Sequence, residues 1–213
     1  MNLLSILFQE PILFAIIVAA IVLTLSVHEF AHAYVGHLLG DHTAEREGRL
    51  TINPLAHIDP VGFLMLLMVG FGYAKPVPYD PYQLRDPRMG SVLIAIAGPG
   101  SNLLFGALAS ALHGWLSPIL GIDNLLVISL LFIASINFSL MLFNLIPVPP
   151  LDGSKVLLAM LTAPEHRQVR IFLETQGPMI LLGLIVLDAF AGIGVFSWIF
   201  SGSSFLFGLF SGG

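Results

Sequence analysis

Residues 22–40 read VLTLSVHEFAHAYVGHLLG and contain the pattern H-E-x-x-H at His28, Glu29 and His32. Histidines four residues apart on a helix lie on one face, one turn apart, so both imidazoles can reach a single metal ion. Glu29 follows the first histidine, where its carboxylate can take a proton from water bound to that ion. Charged groups are costly within an apolar helix of membrane length, so this stretch predicts a functional metal site.

The composition is typical of a membrane protein. Of the 213 residues, 56% are hydrophobic and 10% are charged, whereas about a quarter of the residues in soluble domains are charged. The net charge of −5 and the lack of any basic run exclude a nucleic-acid partner. Cysteine is absent, which excludes disulfides, thiolate ligands and a cysteine nucleophile. We expect one domain over residues 1–213, with a core at 11–160 and a C-terminal span and tail at 178–213.

Four long apolar runs predict membrane spans. No basic region of a signal peptide precedes the first run, so we expect it to be retained. The predicted spans are residues 11–39, 89–115, 125–146 and 178–200.

Shorter segments lie between and after these spans. Residues 61–73 are apolar but too few to cross a bilayer, which favours a re-entrant or interfacial segment. Residues 48–53, GRLTIN, alternate in the manner of a short strand. The Gly/Ser-punctuated tail after residue 200 predicts no regular structure. The expected fold class is therefore an all-α polytopic membrane protein with about four transmembrane helices, a re-entrant or interfacial segment and short β-strands.

The basic residues predict the orientation of the chain. All eight Lys and Arg residues lie in the loops after the first span, after segment 61–73 and after the third span. If segment 61–73 returns to the side from which it enters, all eight fall on one side, which the positive-inside rule makes cytoplasmic. His32 and His28 would then lie about 10 and 16 Å from the cytoplasmic end of their helix. We therefore expect the site towards the cytoplasmic side of the membrane.

Residues 144–154, NLIPVPPLDGS, contain a candidate third ligand. The three prolines in this stretch cannot donate backbone hydrogen bonds and end the third span. The Asp152-Gly153 turn that follows leaves the carboxylate free to point back towards the histidines. Two histidines and a carboxylate, with a fourth position open to water, are the pattern of catalytic zinc. The alternative role for Asp152 is the N-cap of a helix that begins at Ser154.

These motifs together resemble the site-2 proteases, intramembrane zinc metalloproteases, in their minimal prokaryotic form without a PDZ domain. HEFAH matches the family's H-E-x-x-H and NLIPVPPLDG matches its N-x-x-P-x-P-x-x-D-G, while AGPGSN and GRLTINPLAHIDPVG look like two further family elements. The resemblance covers roughly residues 20–160. It implies Zn²⁺ held by His28, His32 and Asp152, with Glu29 as the catalytic base. It also implies that Asn144 helps to hold the substrate or the oxyanion.

The function implied by the resemblance is cleavage of transmembrane segments by metal-activated water, in an integral protein of a prokaryotic cell membrane. The implied partners are a transmembrane protein or peptide substrate and the lipid bilayer, and the sequence does not determine the oligomeric state. We expect the strand at 48–53 and residues 74–80 to receive an unwound substrate by strand addition. A divalent metal-ion transporter or a non-catalytic metal-binding scaffold could use the same ligands. Only hydrolysis needs a general base beside them, which favours the protease.

Other polar residues lie in or near the predicted spans. Asn102, an amide at membrane depth, needs a hydrogen-bond partner. Gly98 and its small neighbours are interpreted as a packing seam between helices. Asp188, in the predicted fourth span, must face the bundle or an aqueous pocket.

Three further histidines are not expected to be ligands. His37 lies five residues beyond His32, on another face of the helix, and His42 and His57 lie in loops. We interpret each as structural or solvated, and His57 as a possible secondary contact.

Overall fold

This computed structural model describes residues 3–69 and 72–212. The described residues contain nine α-helices. Short 3₁₀ turns lie at Pro54–Ala56, Pro81–Gln83 and Pro164–His166. The helices are α1 (Leu3–Gln9), α2 (Pro11–Leu38), α3 (Thr43–Arg46), α4 (Pro60–Val69), α5 (Pro87–Leu120), α6 (Leu125–Asn144), α7 (Asp152–Met160), α8 (Arg167–Ala191) and α9 (Ser197–Ser211).

Four segments of the described chain are long and apolar enough to cross a membrane: α2, α5, α6 and Pro164–Asp188, which includes most of α8. This confirms the prediction of an all-α fold with four spans, and the first three spans lie where the apolar runs placed them. α2 begins at Pro11, whose fixed φ and missing N–H suit the first turn of a helix. α5 begins two residues earlier than predicted because the Asp86 carboxylate accepts hydrogen bonds from the N–H groups of Arg88 and Met89.

The predicted limits of the fourth span were wrong. α8 begins at Arg167 and contains Pro178, the predicted start of the span. Its first two turns contain Arg167, Arg170 and Glu174, and these charges end the apolar run on which the prediction was based.

The tail after residue 200, for which no regular structure was predicted, belongs to α9. This helix packs against α5 and α6, where Phe210 stacks on Phe138 and the Ser203 hydroxyl donates to the Ser135 carbonyl. Packing of this kind outweighs the weak intrinsic helix preference of glycine and serine.

The predicted short strands were also wrong. Residues 48–53 form turns and irregular backbone, and the only β-pairing among the described residues is an isolated antiparallel bridge between Ile58 and Ala74. Alternating polarity forms a strand only where a neighbouring strand can pair with it. Among the described residues no strand pairs with residues 48–53, and the Arg49 side chain is buried and donates to the Lys75 carbonyl.

The two ends of the segment between the first two spans, residues 58 and 74, lie next to each other. α4 has ten residues, which gives a length of about 15 Å, half the thickness of the hydrocarbon core. The bridge between Ile58 and Ala74 joins the two ends of this segment, and the Lys75 N–H donates to the His57 carbonyl at 2.8 Å. The ends therefore lie side by side, which agrees with re-entry and not with a crossing.

α5 is the central helix of the bundle and packs against α2, α6, α7 and α9. Small residues allow the close contacts: a Cβ on Gly106 would lie 2.7 Å from the Phe138 ring, well inside van der Waals contact. One result is that α2, α5 and α7 meet at a single point, where the candidate site lies.

Candidate metal centre and active site

Three potential metal ligands meet where α2, α5 and α7 come together. The Nε2 atoms of His28 and His32 lie 3.1 Å apart, and each lies 3.2 Å from Asp152 Oδ2. All three residues are buried. Ligands at about 2.0–2.1 Å from a tetrahedral zinc ion are about 3.3–3.4 Å from one another. The three atoms are therefore arranged as one face of a tetrahedral metal site, as the sequence predicted for this group.

The chemistry of these atoms also fits a cation. The His32 Nδ1–H donates to the Ile94 carbonyl at 2.6 Å, so the Nε2 atom of a neutral His32 presents a lone pair. Asp152 Oδ2 is buried and accepts no hydrogen bond from the described residues. Lone pairs and a buried carboxylate that face one another repel unless a positive charge lies between them. A divalent cation bound by all three atoms removes this repulsion, because each atom can donate a lone pair to it.

α7 holds the carboxylate at the histidines. Asp152 is the first residue of α7, after Leu151 at the N-cap, and no side-chain capping bond is formed there. The N-cap alternative for Asp152 is therefore not what the structure contains. Gly153 lets the chain approach closely, since a Cβ there would lie 2.6 Å from the Leu145 carbonyl carbon. Lys155 Nζ lies 3.7 Å from Asp152 Oδ1 and over the Tyr79 ring, so the two carboxylate oxygens face different partners.

α5 packs against both imidazole rings. The partner that Asn102 was expected to need is His28, whose Nδ1 lies 3.0 Å from the Asn102 amide nitrogen. Gly98 makes this approach possible, because a Cβ there would lie 2.6 Å from His28 Cε1. The packing seam predicted around Gly98 is therefore a seam between α5 and the two imidazoles themselves.

Asn102 can control the tautomer of His28. A histidine that ligates through Nε2 carries its proton on Nδ1, and its partner must then accept a hydrogen bond. Asn102 Oδ1 is buried and has no partner among the described residues. Rotation of the amide by half a turn brings this oxygen to His28 Nδ1, which satisfies both atoms when a metal is held.

Asn102→Ala is expected to weaken zinc binding roughly 10–100-fold, the usual cost of losing a group that orients a metal ligand. Asn102→Asp keeps an acceptor for the Nδ1–H and should retain most of the affinity. The matched control is Asn137→Ala, because Asn137 is an equally buried amide that bonds Thr24 and the Ile133 carbonyl instead of a histidine. Competition with a chromophoric chelator measures the affinity. Equal affinities for Asn102→Ala and Asn137→Ala would refute the tautomer role.

Glu29 lies beside the group of three and outside it. Its side chain is partly exposed, and its Oε2 accepts a hydrogen bond from the Val77 N–H at 3.2 Å. Residues 75–80, which include Val77, form neither a helix nor a strand, and the backbone of Asp80 is extended. Their far end is held by the Asp80 N–H, which donates to the buried Asp41 carboxylate. A hydrogen bond from Gln83 holds the pKa of the Asp80 carboxyl below its usual range.

Asn144 is the last residue of α6 and lies just before the Pro-rich turn that leads to Asp152. Its amide nitrogen donates one hydrogen bond to the Leu140 carbonyl at 3.0 Å. Among the described residues no hydrogen bond joins Asn144 to the group of three, so its assigned role stays a prediction.

Comparison with known proteins agrees with this site. The model of peptidase family M50 matches residues 120–187, which include Asp152. The protein named "Putative zinc metalloprotease YwhC" in Bacillus subtilis (strain 168) is 37% identical over 179 residues, which are 80% of each chain. This chain belongs to peptidase family M50. Membership confirms the family resemblance drawn from the H-E-x-x-H and D-G motifs.

Two further M50 relatives cover most of the chain. "Putative zinc metalloprotease Rip2" of Mycolicibacterium smegmatis is 27% identical over 182 residues, 83% of this chain and 68% of that protein. Rip2 of Mycobacterium tuberculosis strain H37Rv is 28% identical over 195 residues, 88% of this chain and 73% of that protein. No solved structure matches the chain significantly.

Two buried residues of the M50 chain hold the loop before α4 in place. His57 is almost fully buried, and its Nε2–H donates to the Thr51 carbonyl at 2.7 Å. Arg49, which the sequence analysis did not single out, is also buried and bonds the Lys75 carbonyl. A lone arginine in a polar loop carries no sequence signal for burial. Together these side chains connect the loop to residues 75–80, which contact Glu29.

A cavity of about 730 Å³ opens between α2, α4, α6, α8 and α9. Its walls are mostly apolar, and Ser26, His57 and Asp188 are among its polar lining residues. Asp188 thus borders a pocket, one of the two environments expected for it, and its Oδ1 accepts a hydrogen bond from the Val195 N–H at 2.6 Å.

Proposed function

We propose that this chain is a zinc-dependent intramembrane endopeptidase that cleaves transmembrane segments of membrane proteins. The observation that carries the proposal is the meeting of His28, His32 and Asp152 within 3.2 Å of one another, with Glu29 beside them, between apolar helices. Zinc is the ion in the names of YwhC and Rip2, both called putative zinc metalloproteases. Three protein ligands with an open fourth position suit catalytic zinc.

Each site residue has an assigned role in this proposal. His28, His32 and Asp152 hold the ion, which when bound makes water more acidic and polarises the scissile carbonyl. Glu29 takes a proton from water as its oxygen bonds to the carbonyl carbon, and delivers a proton to the amine nitrogen when the C–N bond breaks. The Val77 N–H donates its hydrogen bond to Glu29 Oε2, so the other oxygen, Oε1, is assigned to accept the proton from water.

Asn144 is assigned to the oxyanion or to the substrate backbone. An amide nitrogen has two N–H groups, and the bond to the Leu140 carbonyl uses one of them. The second can donate to an oxygen that gains negative charge as the carbonyl is attacked.

The substrate helix must unwind before cleavage, since every backbone group of a transmembrane helix is already paired. Residues 74–80 form no helix, begin at the bridge residue Ala74 and pass beside Glu29, which supports strand addition at this segment. Pro76 and Pro78 offer carbonyls but no N–H, so the substrate strand must supply the donors there. The strand expected at 48–53 takes no part, because those residues do not form a strand.

We place residues 1–213 in one domain in a bacterial membrane, with the active site towards the cytoplasm. The support for this orientation is the pairing of Ile58 with Ala74, which brings the basic loops on both sides of α4 to one level. All eight basic residues lie in these loops or in the loop after the third span, which is on the same side of the membrane. The positive-inside rule therefore makes that side cytoplasmic.

The test is cleavage of a single-span membrane peptide by the purified full chain in lipid vesicles. We expect cleavage that a zinc chelator abolishes and added zinc restores, because the proposed chemistry needs the ion. Cleavage that persists after complete removal of the metal would refute the proposal. Zinc flux across the vesicle membrane without any cleavage would support the transporter instead.

A further inference from the structure

A second group of metal-ligand atoms lies at the other end of α2 from its Pro11 start. His37 Nδ1 and His42 Nδ1 lie 3.1 Å apart, and Glu45 Oε2 lies 3.2 Å from the first and 2.8 Å from the second. These distances nearly match those of the buried group. His37 is five residues beyond His32, which separates the two groups by about 7.5 Å along the helix axis.

We propose that His37, His42 and Glu45 form a second, exchangeable site for a divalent transition-metal ion. Two imidazole nitrogens and one carboxylate oxygen suit zinc and its first-row neighbours, whereas calcium and magnesium prefer ligand sets made of oxygen alone. The proposal concerns a site separate from the proposed active centre and does not depend on proteolysis.

The three atoms lie close enough together for one ion to contact all of them. His37 Nδ1, His42 Nδ1 and Glu45 Oε2 lie between 2.8 and 3.2 Å from one another, and ligands of a tetrahedral zinc ion are about 3.3–3.4 Å apart. A neutral imidazole with its proton on Nε2 and a carboxylate oxygen each have a lone pair to donate to a cation. The side chains therefore need to move apart only slightly to hold an ion.

The backbone holds the three ligands together in a tight turn. His37 is in the last turn of α2, and the chain reverses at Gly40, whose φ of 102° is open to glycine but strained for other residues. The Asp41 carboxylate accepts a hydrogen bond from the Thr43 N–H, which leads directly into α3 and Glu45. The ligands therefore need little rearrangement to bind an ion.

The exposure of the group indicates exchange with solvent. The side chains of His37, His42 and Glu45 are 32%, 50% and 50% exposed, in contrast to the buried ligands of the first group. The remaining coordination positions would be filled by water, so we expect this ion to bind more weakly and to leave more readily than the buried ion.

An ion at this position would stiffen the turn that anchors the segment beside Glu29. Asp41 Oδ2 accepts a hydrogen bond from the Asp80 N–H, and the Gln83 side chain bonds both Thr43 and Arg46. These bonds connect the α2–α3 turn to residues 77–83. Occupancy of the second site is therefore expected to stabilise this part of the fold.

The test is zinc titration of the untagged full chain in detergent, with competing chelators of graded affinity. We expect two classes of site in the natural chain, one tight and one weaker. His42→Asn and Glu45→Gln should each remove the weaker class and keep the tight one, while Asp152→Ala should do the reverse. His166→Asn, which changes a histidine outside both groups, is the matched control.

Thermal unfolding gives a second measurement that does not depend on the titration. Zinc should raise the Tm of Asp152→Ala, and this rise should be lost when His42→Asn or Glu45→Gln is added. A single class of site in the natural chain, or a weaker class that survives both substitutions, would overturn the proposal. Either result would leave the proposed protease function unaffected, because that function rests on the tight site.

Discussion

Glu29→Gln is expected to lower the rate of peptide cleavage by about 10²–10⁴-fold, the usual contribution of a general base. The zinc content should not change, because Glu29 is not one of the three converging ligands. The substitution should remove the base and leave the surrounding backbone unchanged. The carbonyl oxygen of glutamine can accept the same hydrogen bond from the Val77 N–H, so residues 75–80 should keep their position.

The measurements for this variant are zinc per chain and the initial rate of cleavage of a single-span peptide in vesicles. The control is Glu47→Gln, which neutralises an exposed carboxylate just after α3 and should leave both quantities as they are. Undiminished cleavage by Glu29→Gln would eliminate the mechanism. Loss of zinc together with activity would show that Glu29 acts as a ligand and not as a base.

Asp152→Ala is expected to remove the tightly bound zinc and, with it, all cleavage. The loss of affinity should exceed the roughly 10–100-fold expected for a group that only orients a ligand. The substitution also leaves the two histidines without a carboxylate to balance the charge of the ion. The helix itself should tolerate the change, because the Asp152 side chain makes no capping bond at the start of α7.

Asp86→Ala is the matched control that separates a ligand from a helix cap. The Asp86 carboxylate accepts two backbone hydrogen bonds at the start of α5, and its loss should cost about 0.5–2 kcal/mol of stability. We therefore expect Asp86→Ala to lower the Tm and keep zinc, and Asp152→Ala to lose zinc. Retention of tight zinc by Asp152→Ala, measured by metal analysis after dialysis, would contradict the assignment.

The meeting of His28 and His32 at the candidate site was predictable because the pattern that marks them is local. His28 and His32 meet on one face of any helix that contains them, whatever surrounds it. Asp152 was harder, since its approach to the histidines spans more than a hundred residues. It was found because the prolines before it end a membrane span, which is an unusual place for a carboxylate.

The errors came from segments whose structure depends on their neighbours. Residues 48–53 have the alternation of a strand, but no described strand lies beside them to pair with. The tail after residue 200 has weak helix preference but becomes helical where Phe210 and Ser203 pack on α6. The interpretation of His37 and His42 as structural or solvated is not one of these errors, because their side chains are 32% and 50% exposed. What their spacing does not reveal is the turn at Gly40, which brings them together.

The sequence by itself determined the membrane class and the spans of the first three long helices, and it singled out the three residues that meet at the candidate site. Hydropathy and helical spacing are properties of neighbouring residues, which is why they can be read from the sequence. Only the tertiary structure decided what surrounds those ligands. Asn102 and the Ile94 carbonyl reach His28 and His32 across 74 and 62 residues of chain, and Gly98 lets α5 come that close. Such contacts depend on how α2, α5 and α7 pack against one another, and no local pattern of residues specifies that packing.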